Sequence, residues 1–282
     1  MWRIMKIINL IENTEGVKGC ATAHGLSFYI ETSKHKMLAD LGPSEETLNN
    51  AELLGIDLKN VDTVVLSHGH YDHSGGIIPF SKINEKALIY MQRSAGGEYY
   101  ADDGNKTTGH LYRYIGIDSE ILKLSQVRYI DGDYVIDNGI EVFTIKNRTH
   151  EIPFTNKRLL IRNGDTYIRD EFKHENFLVI NEGDRSILIS GCAHTGILSI
   201  VDAYIEKYGR SPDVVISGFH LMVHRDYREM EISEIRAMAD ELKEHPTRFF
   251  TCHCTGEAAY ALMKDIMGDQ LQYVHSGEEV VL

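Results

Sequence analysis

The sequence predicts an α/β protein in which two β-sheets pack together under covering helices. Two observations predict it: a first half of short apolar strands, and a second half that repeats strand, polar turn and helix. Strands are expected at 4–10, 27–31, 36–40 and 62–66, each rich in Ile, Val, Leu, Phe or Tyr and bounded by Gly, Asn, Ser or Pro. Between the third and fourth, Ser44 is placed to cap a helix whose Leu48, Ala51 and Leu54 share one face, and Gly55 ends it. The polar, Gly- and Tyr-rich stretch 93–128 has weak periodicity. It reads as an inserted loop-and-helix excursion over one edge, a usual source of substrate specificity and a candidate lid.

In the second half, a strand at 186–190 precedes Ile197, Val201, Tyr204, Ile205 and Tyr208 at helical spacing, with Gly209 as the stop. A strand at 213–217 leads through a loop to Ile232, Ile235, Met238, Ala239 and Leu242, before Pro246. A strand at 248–251 leads to Ala259, Leu262, Met263 and Ile266, before Gly268, and a last strand is expected at 272–274. No repeat, low-complexity tract or Pro/Ser-rich linker interrupts the 282 residues. A single domain, 1–282, with the excursion at 93–128 inserted in it, is therefore expected.

Composition narrows the function. Charged residues make up 25% and hydrophobic residues 43%, which is ordinary for a soluble domain. The balance of 29 basic against 42 acidic residues leaves −13. Nucleic acid and anionic membranes are poor partners for so acidic a chain, while a local basic recess can still take an anion. No apolar stretch approaches the roughly 20 residues of a membrane span. The first ten residues are too charged for the apolar core of a signal peptide, so a cytoplasmic protein is expected. Cys20, Cys192, Cys252 and Cys254 are too few for a disulfide framework, and Cys252-His253-Cys254 is too tight to bridge. Metal binding, redox chemistry and plain burial remain open for them.

The 14 histidines are the compositional oddity, and they are clustered. In Thr63-Val-Val-Leu-Ser-His68-Gly-His70-Tyr-Asp72-His73-Ser-Gly75-Gly76 an apolar strand stops and four metal-capable side chains follow within six residues. Imidazole and carboxylate suit Zn²⁺ or Fe²⁺, and alternation puts His68 and His70 on the same side of an extended turn. Gly75 and Gly76 permit a tight entry into a helix. Four such ligands exceed what one open catalytic ion takes from a single loop, so two metals are expected. Three later strands also end in polar residues: Cys192 with His194, His220, and Cys252-His253-Cys254. Strands that deliver such residues from one edge make them converge.

The His-x-His-x-Asp-His motif after an apolar strand, with later histidines at strand ends, resembles the metallo-β-lactamase superfamily. More narrowly, the segments around His24-Gly-Leu-Ser27, Gly191-Cys-Ala-His194, Gly218-Phe-His220-Leu and His253-Cys-Thr-Gly256 resemble its dihydropterin-ribofuranosylaminobenzene-phosphate synthase-like branch, or metal-dependent hydrolases II. The resemblance implies a four-layer αββα sandwich with a one- or two-metal site at one edge. It implies His68, His70, Asp72, His73, His194 and His253 as metal ligands, with His150 and His174 as looser alternatives for the histidine at 194. Cys192 falls where relatives carry a bridging aspartate, so it either replaces that ligand as thiolate or packs. Asp40 resembles the aspartate that steadies the histidine loop.

His220 and His24 lie beside the proposed site; each is open to a substrate or proton role and to a turn role, and His24 also to binding the metal or supporting its ligands. His35, His110, His224, His245 and His275 read as solvated. The expected chemistry is hydrolysis or group transfer with two divalent ions, zinc, iron or manganese, activating a water that Asp72 orients. The expected substrate is an anionic small molecule, phosphorylated or pterin-related. A redox protein with an iron–sulfur cluster on Cys20, Cys192, Cys252 and Cys254 is the alternative, although Cys-x-x-Cys spacing is missing. A binding module that has merely kept the fold is the third reading, disfavoured by the complete ligand set.

Overall fold

The computed structural model describes residues 5–104 and 112–282; Ile4 and His110 lie outside them. The chain opens with β1 (Lys6–Ile11), β2 (Ser27–Glu31), β3 (Lys36–Ala39), α1 (Glu46–Leu53), β4 (Thr63–Val65), α2 (Tyr71–Ser74), α3 (Ile77–Ile83) and β5 (Leu88–Gln92). It continues through β6 (Tyr99–Ala101), β7 (Arg113–Tyr114), β8 (Val127–Ile130), β9 (Tyr134–Asp137), β10 (Ile140–Phe143), β11 (Leu159–Asn163) and β12 (Thr166–Arg169). The last third holds β13 (Phe177–Glu182), β14 (Arg185–Ile189), α4 (Ile197–Tyr208), β15 (Val214–Ser217), α5 (Glu229–Lys243), β16 (Arg248–Thr251), α6 (Glu257–Met267) and β17 (Leu271–Tyr273).

One sheet runs β1-β2-β3-β4-β5-β8 and the other β17-β16-β15-β14-β13-β10-β9. Alternation along each strand feeds two different cores. Ile187, Ile189 and Phe250 face Phe28, Ile30 and Met37 between the sheets. Their neighbours Leu188 and Phe249 instead pack outward on Ile200, Ile235 and Met263 of α4, α5 and α6. On the other side, Leu38, Val64 and Ile89 pack on Ala51, Ile77 and Phe80 of α1 and α3. Three apolar layers between four structural layers make the αββα sandwich.

The stretch 93–128 differs from the loop-and-helix expectation. It carries β6 and β7, which join β11 and β12 in a separate sheet of order β12-β11-β6-β7. Tyr99, Ala101, Ile115, Leu159 and Phe172 form its small core. Local periodicity could not reveal this, because Tyr99 pairs with Ile161, far along the chain. The expected Ser44 cap is loose: its hydroxyl accepts from the Glu46 N–H at 3.4 Å, and Gly55, at φ +72°, closes the helix as expected. His35 is not simply solvated, since aspartates hold both its ring nitrogens. No helix among the described residues is long and apolar enough to cross a membrane.

Candidate metal centre

Strands β3, β4, β5 and β8 run parallel, as do β14 to β17, and the carboxyl ends of both sets deliver polar side chains. Asp40 follows β3, and the turn from Ser67 to His73 follows β4. Cys192 and His194 follow β14, His220 follows β15, and His253 and Cys254 follow β16. Gly69 is required by crowding, because a Cβ there would lie 2.4 Å from the Ala95 carbonyl oxygen. Five non-glycine residues among those described take positive φ: Asp40, Phe172, Ala193, His220 and His253. Four lie at these strand ends and Phe172 stacks on His194, so backbone strain is concentrated at this edge.

Two overlapping groups of donors form. Asp72, His73, Cys192 and His253 place ligand atoms within 4.8 Å of one another, and so do His68, Cys192 and His194. Cys192 belongs to both. The His70 ring packs 4.5 Å from that of His68 and 4.8 Å from that of His194. All of these residues are buried.

The tautomers can be derived from the hydrogen bonds. Ser67 donates its hydroxyl proton to Asp40 Oδ2 at 2.7 Å, so its oxygen must accept from His68 Nδ1 at 2.8 Å. His73 Nδ1 donates to Asp40 Oδ2 at 2.6 Å. Asn156 donates to the His194 carbonyl at 2.8 Å, which turns its Oδ1 toward His194 Nδ1, also at 2.8 Å. His253 Nδ1 donates to Asn13 Oδ1 at 2.8 Å. Each ring therefore carries a proton on Nδ1; His68, His194 and His253 keep the Nε2 lone pair for the pocket, while the Nε2 of His73, 3.1 Å from Cys192 Sγ, also holds a proton that a bound cation would displace.

That arrangement fits a bound cation. His68 Nε2 and His194 Nε2 lie 3.2 Å apart, two lone pairs facing each other with no proton between them. Two ring nitrogens on one tetrahedral cation are separated by roughly 3.3 Å. The buried Nε2 atoms of His70 and His253 have no hydrogen-bond partner.

Electrostatics agree. Burial, then the neighbouring rings, hold His68 and His194 well below the ordinary histidine value, and burial with His174 beside it brings His70 to about 3. Burial would raise the Asp72 carboxyl, but His73, His253 and His24 keep it well below the usual carboxylate range. Burial works against charge on His73, yet Asp40 and Asp72 overcome it and hold the ring at about 9, so this point of the pocket attracts positive charge. Burial, then Cys254, push the Cys192 thiol well up, so a thiolate there requires a cation.

The remaining expectations separate. Asp40 accepts from the Ser67 N–H at 2.7 Å as well as from Ser67 and His73 side chains, and so fixes the histidine turn. His24 Nε2 lies 3.5 Å from Asp72, and burial with His253 nearby brings its pKa to about 4. His220 packs 4.3 Å from His194. His150 is not at the site: Asp202 and Glu241 on the outer helices take its Nε2 at 3.0 and 3.3 Å. His174 is a brace, with Nδ1 accepting from the Gly69 N–H at 2.9 Å and Nε2 on Asp170 at 2.9 Å, so neither nitrogen is spare.

The four-cysteine cluster is not supported. Cys252 packs in the core between the sheets, and Cys20 lies against Gly277 and Val17. Among the described residues no ligand group contains two cysteines.

Several functional residues escaped sequence reasoning. Glu12, fully buried, accepts from the His253 N–H at 2.9 Å and from the Tyr273 hydroxyl at 3.1 Å. Glu175 accepts from the N–H groups of His194 and Thr195 at 2.7 and 2.9 Å. Asn13 and Asn156 set tautomers. A charged residue ending the apolar run Ile7-Ile-Asn-Leu-Ile-Glu12 was the one available signal.

The centre opens into a cleft of 1310 Å³, lined by His70, Asp72, Cys192, His194, His220 and His253 on its floor and by Arg113, Lys157 and Arg158 on its wall. The model of the Metallo-beta-lactamase superfamily matches residues 22–242. An uncharacterized protein of Methanocaldococcus jannaschii is 32% identical over 95% of this chain and 97% of its own. The 7,8-dihydropterin-6-methyl-4-(beta-D-ribofuranosyl)-aminobenzene-5'-phosphate synthase of the same organism is 29% identical, over 97% of this chain and 95% of its own. A solved metal-dependent hydrolase of the beta-lactamase superfamily superposes with a TM-score of 0.81 at 26% identity, covering 99% of both chains.

Proposed function

The chain belongs to the metallo-β-lactamase superfamily, and from that premise we propose that it is a two-metal hydrolase acting on an anionic, phosphorylated small molecule. The observation that carries this reading is the pair of unprotonated ring nitrogens, His68 Nε2 and His194 Nε2, at 3.2 Å. His68, His70 and His194 would hold one divalent ion, Asp72, His73 and His253 the other, and Cys192 would serve both. Such ions polarise the attacked oxygen and make water nucleophilic near neutral pH.

The chain's own residues do the rest. Asp72 Oδ2, 3.5 Å from both His24 and His253, is the carboxylate that orients the attacking water. The Thr155 hydroxyl donates to the His220 carbonyl, so His220 Nδ1 donates to the same hydroxyl oxygen at 2.8 Å. That leaves Nε2 as an acceptor in the cleft. Burial, then the nearby Arg158, keep the His220 ring neutral, so it offers a hydrogen-bond acceptor to the substrate rather than a charge.

Identity to the synthase over 97% of this chain favours group transfer as a second reading, on a pterin-type or aryl-ribose phosphate. Metal analysis joined to a screen of phosphate mono- and diesters tests the first. About two ions per chain are expected, with zinc, iron or manganese distinguished directly. His68→Ala and Asp72→Ala should each lower metal content and reduce turnover by about 10³-fold or more while keeping the fold. Unchanged metal stoichiometry in both variants refutes the site. Product formation only when a second organic substrate is supplied selects transfer.

A further inference from the structure

We propose that Arg113, Lys157 and Arg158 recognise a phosphate group on the substrate remote from the bond that breaks, and that Asp103 holds the two guanidinium groups when that phosphate is absent. The inference rests on the proposed hydrolase reading of the same cleft and names a feature of its substrate. All four residues come from the separate small sheet and its connections. Asp103 follows β6, Arg113 lies on β7, and Lys157 and Arg158 end the turn Phe154–Arg158 that leads into β11.

The geometry is that of an anion fork already in use. Arg113 Nε donates to Asp103 Oδ2 at 2.7 Å, and Arg158 Nη1 donates to Asp103 Oδ1, one carboxylate oxygen on each guanidinium. Two oxygens of a phosphate present the same spacing of acceptors with more charge, and a third oxygen remains for a further donor. Lys157 supplies one. Its ammonium has no hydrogen-bond or ion-pair partner among the described residues, although it lines the same cleft. The Arg–Asp pairs are about half exposed, with side-chain exposures of 48% and 47% for the arginines, so exchanging Asp103 for a ligand costs little.

The fork also shares its cleft with the floor. Tyr71 and Asp72, and His194 and His220 with rings 4.3 Å apart, line it together with Arg113 and Arg158. A phosphate held there would therefore leave the rest of a substrate directed at the metal ligands. Three cations on one wall stand out in a chain of net charge −13.

Calorimetric titration of metal-loaded protein with ribose 5-phosphate, ribose and ribonate tests the inference. Ribose 5-phosphate should bind, with ribose and ribonate at least about tenfold weaker. Arg113→Gln and Arg158→Gln should each lose about tenfold or more, and Arg158→Lys less. Asp103→Asn should bind several-fold tighter, because it removes the internal competitor. In His68→Ala the preference for ribose 5-phosphate over ribose should persist, since the phosphate contacts the wall.

Equal affinity in both folded Arg→Gln variants overturns the proposal. So does ribonate binding as tightly as ribose 5-phosphate, or loss of the preference for ribose 5-phosphate over ribose in His68→Ala, which would put the phosphate on the metals. Unchanged affinity in Asp103→Asn overturns the holding role. Arginine-dependent binding in a protein that hydrolyses no phosphate ester would refute the hydrolase reading and leave the fork standing.

Discussion

His73 and His35 both rest a ring nitrogen on an aspartate, at opposite ends of the sandwich. His73 Nδ1 meets Asp40 at 2.6 Å near the carboxyl end of β4. His35 precedes β3 and meets Asp62 with Nδ1 and Asp137 with Nε2, both at 2.9 Å. At the cleft edge, His68, His73, His194 and His253 each tie Nδ1 to the protein and leave Nε2 toward the other candidate ligands. At the far edge both are tied, and a neutral ring cannot donate twice. What marks these four as candidate metal ligands is the nitrogen left over after the protein has used the first. The same test excludes His174, whose two nitrogens are both engaged.

The largest effect expected from breaking the tied side is at Asp40. It accepts three hydrogen bonds inside the protein, from the Ser67 N–H, the Ser67 hydroxyl and His73. Asp40→Asn removes the charge opposite His73 and frees the Ser67 hydroxyl proton to turn toward His68. About 3–5 kcal/mol of stability should be lost, as for other buried pairs robbed of one partner. Metal affinity should fall by about 10–100-fold. Chemical denaturation and metal titration measure the two losses separately. A variant with unchanged metal affinity would show that Asp40 shapes the turn without tuning the ligands.

A smaller and more selective effect is expected at the two asparagines. Asn156 sets the His194 tautomer and Asn13 that of His253, so the pair addresses the two halves of the centre separately. Asn156→Ala should weaken the ion held by His68, His70 and His194 by about tenfold, and Asn13→Ala the ion held with Asp72, His73 and His253. Stepwise metal titration should show one affinity shifted in each variant and the other retained. Both affinities moving together in both variants would mean that the halves are not independent, with Cys192 as the shared atom that couples them.

This contrast also explains what the sequence could reveal. The candidate ligands were legible because ligand-type residues crowd behind an apolar strand at 68–73 and recur at the ends of β14, β15 and β16. The strands were legible because both faces of a parallel strand are buried and the apolar run is nearly continuous. The tying partners were not. Asn156 reaches His194 across 38 positions and Glu12 reaches His253 across 241, and an isolated Asn or Glu in a polar turn has no periodicity to announce it. The small sheet was hidden for the same reason, as β6 finds β11 only after the chain has crossed to the second large sheet and back.

The far-edge histidine should give the smallest effect, and one that depends on pH. Burial disfavours charge on His35, but the hydrogen bonds it donates to Asp137 and Asp62 overcome it and raise its pKa above the ordinary value. A group whose pKa is raised on folding binds its proton more tightly in the native state. Its contribution is fully present below the unfolded value of about 6.5 and is lost as pH rises through the folded value. Asp137, whose pKa the same contact lowers, stays ionised through that window. His35→Gln should therefore lower Tm by roughly 1–3 °C at pH 6, with the difference fading as pH rises above the unfolded value. Thermal scans of both proteins across that range measure it. A Tm difference that does not change with pH would mean that His35 joins the sheets by packing alone. In that case the contrast with His73 would lie in burial, and the count of free nitrogens would not be what separates a ligand from a clasp.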